Sequence, residues 1–285
     1  MFGDWYHDDV TIRNLQHSFK DAKPFEYVII PNFLQLDILQ QILTEFPSTQ
    51  DVSFDWKHYN NPLEQKYALN KLDSLPCIQQ VFEAMMSSCF LSKIQTITSI
   101  SNLETDPHFH GAGLHSYPGD RGKLDIHLDY SLHPISGKER RCNLILYLNQ
   151  DWKQEYGGEL CLYGCDTKDN TTLLPSKEEQ VKLNPSCNTA VLFRTSDVSF
   201  HGLPKPMQAP SSIHRKSLAI YYVSDPRPEA TQRPKAQFFP HRQMSTDLPT
   251  DIQEKVSPLY SVRPYRLIQQ SDLWEGWQKD GHGWW

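Results

Sequence analysis

The chain has 285 residues, of which 38% are hydrophobic and 22% charged, and this composition excludes a disordered or fibrous protein. Its length suits one large globular domain, or one domain with additions, and it allows a sizeable core. The formal net charge of -6 gives no general attraction to nucleic acid or to an anionic membrane, so we expect neither as a partner.

The first residues, MFGDWYHDDVTIRNL, lack the basic start and apolar core of a signal peptide. No stretch of the sequence reaches the roughly 20 apolar residues that a membrane helix needs. We therefore predict a cytoplasmic protein. The six cysteines are scattered without a CxxC pair, which favours reduced thiols over disulfides or a zinc site.

Residues 1–110 predict a support layer made of one strand and two helices. Residues 1–23 are polar and are interpreted as a lead-in. An apolar run over residues 25–30 predicts a short strand that ends in a Pro-Asn turn. Apolar residues at helical spacing then predict one helix over residues 36–46 and a second over residues 77–97.

The hydrophobic pattern changes to period two from about residue 111, which indicates short strands. The strand-like runs are KLDIHLD, CNLILYLN, GELCLYG, TAVLFRT and KSLAIYYVSD. The intervals between them contain turn signals and no helical period, which argues against a parallel βαβ sheet. We therefore predict a mainly β protein with helical support, an α+β arrangement in which residues 111–225 form a jelly-roll or barrel-like double sheet.

Residues 226–285 are rich in Pro, Gln and Trp, and they end in DLWEGWQKDGHGWW with four tryptophans. If exposed, these rings would promote adhesion, so we expect this extension to pack on the core or on a partner. A lid and a homodimer contact are the alternatives for the same residues.

His127 and Asp129 raise the question of a metal site. Side chains at positions i and i+2 of a strand point to the same face, so the imidazole and the carboxylate can meet at one point. An isolated HxD pair often occurs by chance, and a metal site needs a third ligand. His201, just beyond a later strand, supplies one. Two histidines and one carboxylate form the facial triad of non-haem Fe(II) oxygenases, although zinc also fits such a triad.

Arg215 is the candidate partner for a co-substrate. An Fe(II) oxygenase of this kind needs electrons, which 2-oxoglutarate supplies, and the distal carboxylate of that molecule needs a cation. Arg215 opens the strand RKSLAIYYVSD, where alternation puts Ser217, Ala219 and Tyr221 on the same face. Lys216 should then point outward.

Residues 113–225 resemble the catalytic barrel of the Fe(II)/2-oxoglutarate dioxygenases, in the prolyl 4-hydroxylase-like branch. The resemblance is carried by LHSYPGDRGKLDIHLD, RRCNLILYLNQDWKQEYGGELCLYG, AVLFRTSDVSFHGLPKP and RKSLAIYYVSD, in that order. It implies a double-stranded β-helix barrel. The leading FEYVIIPNFL also resembles the N-terminal support of that branch.

The resemblance implies a role for each matching residue. His127, Asp129 and His201 match the iron ligands, and Arg215 matches the residue that binds the distal carboxylate of 2-oxoglutarate. Tyr147 matches a tyrosine that hydrogen-bonds this carboxylate. One further match is Tyr117, to a tyrosine near the cofactor. Implied cofactors are Fe(II), 2-oxoglutarate, O2 and ascorbate, and the carboxylate of Asp129 favours hydroxylation over halogenation.

The substrate is less well defined than the chemistry. The branch favours a prolyl residue in a protein or peptide, with release of succinate and CO2. A small molecule, such as a free amino acid, a natural-product intermediate or a sugar, is the alternative. A non-catalytic barrel that serves as a binding module would be expected to have lost a ligand or Arg215, and this sequence retains all four residues.

Several other residues near these motifs have a structural explanation. His108, His110 and His115 are expected to support the site or the loop, and His133 is expected to have a loop role. Arg140 and Arg141 begin the strand that leads to Tyr147, and they suit either the substrate entrance or a solvated strand end. Two consecutive glycines, Gly157 and Gly158, predict a tight turn with positive φ.

Overall fold

The computed structural model describes residues 1–107, 109–168, 172–233 and 235–239. In these ranges the helices are α1 (Asp9–Asp21), α2 (Leu36–Glu45), α3 (Pro76–Met86) and α4 (Ser88–Thr98). The strands are β1 (Tyr27–Ile30), β2 (Lys57–Asn60), β3 (Glu64–Leu69), β4 (Glu104–Thr105), β5 (Gly113–Pro118), β6 (Lys123–Leu128), β7 (Glu139–Tyr147), β8 (Leu160–Lys168), β9 (Thr172–Leu183), β10 (Thr189–Arg194), β11 (His201–Leu203), β12 (His214–Ser224) and β13 (Gln237–Phe238).

The strands form one antiparallel sheet in the order β1-β10-β7-β12-β5-β3-β6-β11-β8-β9. Strands β2, β4 and β13 add to β3, β12 and β6 respectively. The sheet curls back on itself: the ring of Phe193 on β10 lies 4.8 Å from that of His201 on β11, although these strands are far apart in the order. This confirms the predicted mainly β fold with helical support and its double-stranded β-helix barrel.

The helices cover one face of this sheet and create the main core. Phe82 and Phe90 from the helices are fully buried in one cluster with Leu144 of β7 and Leu218 of β12. Each such side chain contributes roughly 1.5–3 kcal/mol through burial. Because strand residues alternate between faces, the neighbours of these leucines on β7 and β12 point into the barrel. The period-two pattern of the sequence therefore separates a helix-facing side from an interior side.

Residues 1–23 are not a mere lead-in, and this interpretation was wrong. They contain α1, whose first turn is capped by the side chain of Asp8, which accepts from the backbone N–H groups of Val10 and Thr11. Trp5 and Phe19 are buried in the helix-layer core. Most residues of this segment are polar, and its few apolar residues lie on one buried face of the helix. The overall composition therefore did not indicate a packed helix.

The helix predicted over residues 77–97 is two helices, because the chain breaks at Ser87. This residue is extended, and its hydroxyl caps α4 by accepting from the N–H of Phe90. The hairpin of β2 and β3 was not predicted at all. Since β3 pairs with both β5 and β6, residues before 110 contribute a strand to the barrel sheet itself.

The division into residues 1–110, 111–225 and 226–285 stays a prediction. Most of the last segment, including its tryptophan-rich end, lies outside the described residues, and so do the predicted packing of that end on the core and its possible homodimer contact.

All six cysteines are free thiols. Among the helices that the structure describes, none combines the length and apolar character that a membrane span requires.

Candidate active site

The structure brings His127, Asp129 and His201 together inside the barrel. His127 is near the end of β6, Asp129 follows that strand, and His201 opens β11 directly opposite His127 in the ladder. One ligand atom from each of the three lies within 4.8 Å of the other two. The Nε2 atoms of His127 and His201 are 3.6 and 3.8 Å from the carboxylate oxygens of Asp129. All three side chains are buried.

Backbone carbonyls fix the tautomer of both histidines. The Nδ1 of His127 lies 2.9 Å from the carbonyl oxygen of Asp125, and the Nδ1 of His201 lies 2.8 Å from that of Ser199. A carbonyl oxygen only accepts, so each Nδ1 carries the proton and each Nε2 of a neutral ring offers a lone pair toward Asp129. Burial and the nearby His127 lower the pKa of His201 to about 4, which keeps its ring neutral at pH 7.

Asp129 supplies the negative charge of the cluster. Burial alone would raise the pKa of this carboxyl, but the positive charge of the Arg140 guanidinium favours its ionised form and acts to lower the pKa. The nearest guanidinium nitrogen of Arg140 is 3.6 Å away, and the side-chain amide of Asn143 donates to the carboxylate at 3.4 Å. Two neutral imidazoles and one ionised carboxylate fit Fe(II), and they also fit zinc.

Arg215 and two tyrosines form a second polar group on the interior wall. Arg215 is 2% exposed, and its Nε donates to the carbonyl of Gly158 at 2.7 Å. Its guanidinium carbon lies 4.8 Å from the ring centre of Tyr147 and 5.1 Å from that of Tyr117. The hydroxyl of Tyr147 is buried and has no hydrogen-bond partner among the described residues. A buried guanidinium beside a hydroxyl group without a hydrogen-bond partner can bind a carboxylate.

The turn at Gly157 and Gly158 has the predicted backbone, with φ of 67° and 77°. It also positions Arg215, because the carbonyl of Gly158 accepts from the guanidinium. A Cβ atom at Gly158 would lie 2.6 Å from the sulfur of Met207. The glycine is therefore required by space as well as by φ.

Arg140 is buried, which excludes a solvated strand end for this residue. Its guanidinium carbon lies between the rings of Tyr130 and Tyr221, at 3.3 and 3.1 Å from their centres. Simple alternation from Asn143 would point Arg141 inward instead. The ladder with β12 pairs Tyr222 with Cys142 and Val223 with Arg140, so Arg141 is an extra residue, and this bulge turns Arg140 into the barrel.

Two other histidines, His110 and His133, pack against each other in loops near Asp106. His133 donates from Nε2 to Asp106 at 3.1 Å, while its Nδ1 accepts from the N–H groups of Ile135 and Ser136. The ring of His110 packs 5.1 Å from that of His133. His115 is half-buried, and burial, Lys66 and Arg215 lower its pKa to about 3. His108 lies outside the described residues.

Two features near the site had no signal in the sequence. Lys66 of β3 is paired with Glu64 at 2.9 Å and lies beside the ring of Tyr59, inside a run with too few apolar residues to be recognised as a strand. Phe238 of β13 pairs with His127, and their ring centres lie 5.4 Å apart. Contacts so distant along the chain leave no periodic trace.

Part of this chain is similar to a known protein family. Residues 112–223 match the family model of the 2OG-Fe(II) oxygenase superfamily. A curated relative, prolyl 3-hydroxylase OGFOD1 of Mus musculus, is 25% identical over 260 residues, which cover 90% of this chain. The chain spans only 43% of the length of that relative.

Two solved structures share the fold. A prolyl hydroxylase from Trichoplax adhaerens, in complex with a peptide of the hypoxia inducible factor oxygen degradation domain, has a TM-score of 0.52 at 18% identity and covers 76% of this chain and 94% of its own. A prolyl-4-hydroxylase from Pseudomonas putida has a TM-score of 0.50 at 18% identity and covers 74% of this chain and 98% of its own.

Proposed function

We propose that this chain, which belongs to the 2OG-Fe(II) oxygenase superfamily, is a 2-oxoglutarate-dependent dioxygenase that hydroxylates a prolyl residue in a protein or peptide. The observation that carries the proposal is the convergence of two Nε2 lone pairs and one carboxylate, within 4.8 Å, in the same barrel as the Arg215 group. The reaction would consume O2 and 2-oxoglutarate and release succinate and CO2.

In this proposal, His127, Asp129 and His201 hold Fe(II). Bound Fe(II), with 2-oxoglutarate as the electron donor, supplies the activation of dioxygen that none of the side chains can provide. Three protein ligands leave coordination positions open for the co-substrate and dioxygen. The buried position of all three ligands limits access of bulk water to the reacting centre.

Arg215 and Tyr147 are the proposed partners of the distal carboxylate of 2-oxoglutarate. The guanidinium would contribute a charge-assisted bond, and the buried hydroxyl of Tyr147 would donate a second bond that it does not make to any described residue. Tyr117 packs beside the same guanidinium and limits its movement. Ser217 and Ala219 follow Arg215 on the interior face, and both have small side chains.

The choice of a prolyl substrate rests on the relatives. The curated relative is named a prolyl 3-hydroxylase, and one structural neighbour holds a peptide. Tyr130, Arg140 and Tyr221 form a buried aromatic and cationic stack beside Asp129. A small-molecule substrate remains the alternative, and ascorbate is the expected reductant that maintains Fe(II).

The test is succinate formation from 2-oxoglutarate by the anaerobically purified protein, after addition of Fe(II), ascorbate and air. A panel of proline-containing peptides and free amino acids is compared with the reaction without substrate. We expect turnover to rise with a peptide that gains one oxygen atom by mass. Stimulation by a free amino acid alone would replace the peptide assignment with the small-molecule alternative. The absence of turnover together with absent metal binding would contradict the proposal.

A further inference from the structure

The segment after β12, residues 225–233 and 235–239, crosses the barrel beside the metal cluster; we call it the C-terminal strap. Arg233 lies at its centre. The Nε of Arg233 donates to the backbone carbonyl of Asp129 at 2.8 Å, and one of its terminal nitrogens donates to the carboxylate of Asp197 at 2.7 Å. This side chain is only 12% exposed. One guanidinium therefore joins two segments that are far apart in sequence.

Both of these segments carry metal-cluster residues. The first partner, Asp129, is itself a member of the cluster. The second, Asp197, belongs to the loop that leads into β11 and His201. In that loop the hydroxyl of Ser199 accepts from the N–H of Ser196 and donates to its carbonyl, while the carbonyl of Ser199 fixes the Nδ1 of His201. Arg233 thus anchors the segment that aims His201 and the segment that carries Asp129.

The backbone of the strap is fixed at the same place. The N–H of Ser131 donates to the carbonyl of Arg233 at 2.6 Å, and the N–H of Arg233 donates to the hydroxyl of Ser131 at 2.9 Å. Further along, Phe238 pairs with His127 in the ladder of β13 and β6. The backbone of Arg233 is therefore fixed by its own hydrogen bonds, so its guanidinium can restrain the two segments that it contacts.

We infer that Arg233 is a positioning residue, which sets the separation of Asp129 from His201 and thereby the affinity of the cluster for its metal. The inference rests on the proposed metal site. It requires an arginine, because the planar fork reaches a carbonyl and a carboxylate at once, whereas a lysine ammonium provides one flexible point charge. Outer residues that orient metal ligands typically change metal affinity by about 10–100-fold when they are removed.

The experiment is a titration of the metal-free full chain with Mn(II), in which electron paramagnetic resonance measures the concentration of unbound Mn(II). This measurement does not depend on turnover. We expect R233A and R233Q to weaken Mn(II) binding by about tenfold. We expect R233K to lie between them and the wild type. D197A should weaken binding in the same direction, and the double variant R233A/D197A should be little worse than R233A, because the pair acts as one unit.

The matched control is R227A. Arg227 is in the same strap, and it makes a bidentate ion pair with Glu139 instead of contacting a metal-bearing segment. R227A should keep the Mn(II) affinity of the wild type, while urea unfolding reports what each variant loses in stability. If R227A and R233A weakened Mn(II) binding equally, the effect of R233A would be a general loss of stability in the strap, and the inference would be overturned.

The outcomes also separate this inference from the proposed function. If the wild type does not bind Mn(II), the metal site itself is wrong. If the wild type binds Mn(II) and R233A binds it equally well, the metal site stands and the positioning role of Arg233 is contradicted.

Discussion

The imidazole rings of His127 and His201 lie 4.3 Å apart, centre to centre, as a directly opposed pair on the antiparallel strands β6 and β11. Each ring is oriented by a carbonyl of its own chain segment, so both Nε2 atoms face the carboxylate of Asp129. The register of one strand pair, rather than a flexible loop, therefore determines the geometry of the candidate metal site.

Asp129→Ala should remove the charged ligand of that site. We expect Mn(II) affinity to fall by at least about 100-fold and succinate formation to fall to background, because two imidazoles alone bind the ion weakly. Metal content after dialysis and succinate assays measure both effects. Asp120→Ala is the control, since Asp120 is an exposed carboxylate that bonds to Arg121. Wild-type metal content in Asp129→Ala would exclude Asp129 as a ligand.

Arg215→Ala should leave the metal bound and weaken the binding of 2-oxoglutarate. A hydrogen bond to a charged group contributes about 1.5–3 kcal/mol, so we expect the dissociation constant to rise about 10- to 100-fold. Calorimetry on the Mn(II)-loaded protein measures it. Lys216→Ala provides the comparison, because Lys216 lies on the outer face near the ring of Phe46. Weaker binding in Lys216→Ala and not in Arg215→Ala would reverse the assignment of the carboxylate partner.

Tyr147→Phe should weaken 2-oxoglutarate binding about tenfold without destabilising the ligand-free protein, because the hydroxyl that it removes makes no bond to a described residue. Tyr163→Phe is a close control. Its hydroxyl is likewise buried without a partner, but it belongs to the cluster of Phe200 and Ile126 rather than to the Arg215 group. Urea unfolding and calorimetry separate the two variants. Equal 2-oxoglutarate affinity in both would remove Tyr147 from the binding site.

Gly158→Ala should lower stability and also weaken 2-oxoglutarate binding. A positive φ costs a non-glycine residue about 1–2 kcal/mol. The new Cβ would lie 2.6 Å from the sulfur of Met207 and 3.3 Å from the Cδ of Arg215, so both side chains would have to shift. Gly137→Ala isolates the first effect, because Gly137 has φ of 67° and nothing within 4 Å of its Cβ position. The measurements are the 2-oxoglutarate affinity and the free energy of unfolding of Gly158→Ala, each compared with that of Gly137→Ala. Unchanged 2-oxoglutarate affinity in Gly158→Ala would contradict the role of this turn in positioning Arg215.

The barrel was predictable because its signals are local. Alternation along β7 and β12 separates Leu144 and Leu218, which face the helices, from Tyr147 and Arg215, which face the interior. The spacing of His127 and Asp129 likewise puts both on one face, and the structure brings His201 to them.

The remaining features depend on contacts that no local pattern records. A bulge decides that Arg140, and not Arg141, enters the barrel. The run that forms β3 begins with three polar residues, and its Glu64 and Lys66 form an ion pair whose two side chains are largely buried. Arg233 reaches the carbonyl of Asp129 across 104 residues of sequence. Long-range pairing overrides local propensity at each of these positions.

The central claim is that this chain is a dioxygenase whose metal cluster and Arg215 group act on 2-oxoglutarate, and isotope labelling tests it most directly. The wild-type protein, with Fe(II), 2-oxoglutarate, ascorbate and its best peptide, is supplied with ¹⁸O₂ in ordinary water, and the products are analysed by mass spectrometry. The account predicts one labelled oxygen in succinate and one in the hydroxylated peptide. Succinate without label would mean that its oxygen comes from water, which would contradict the account.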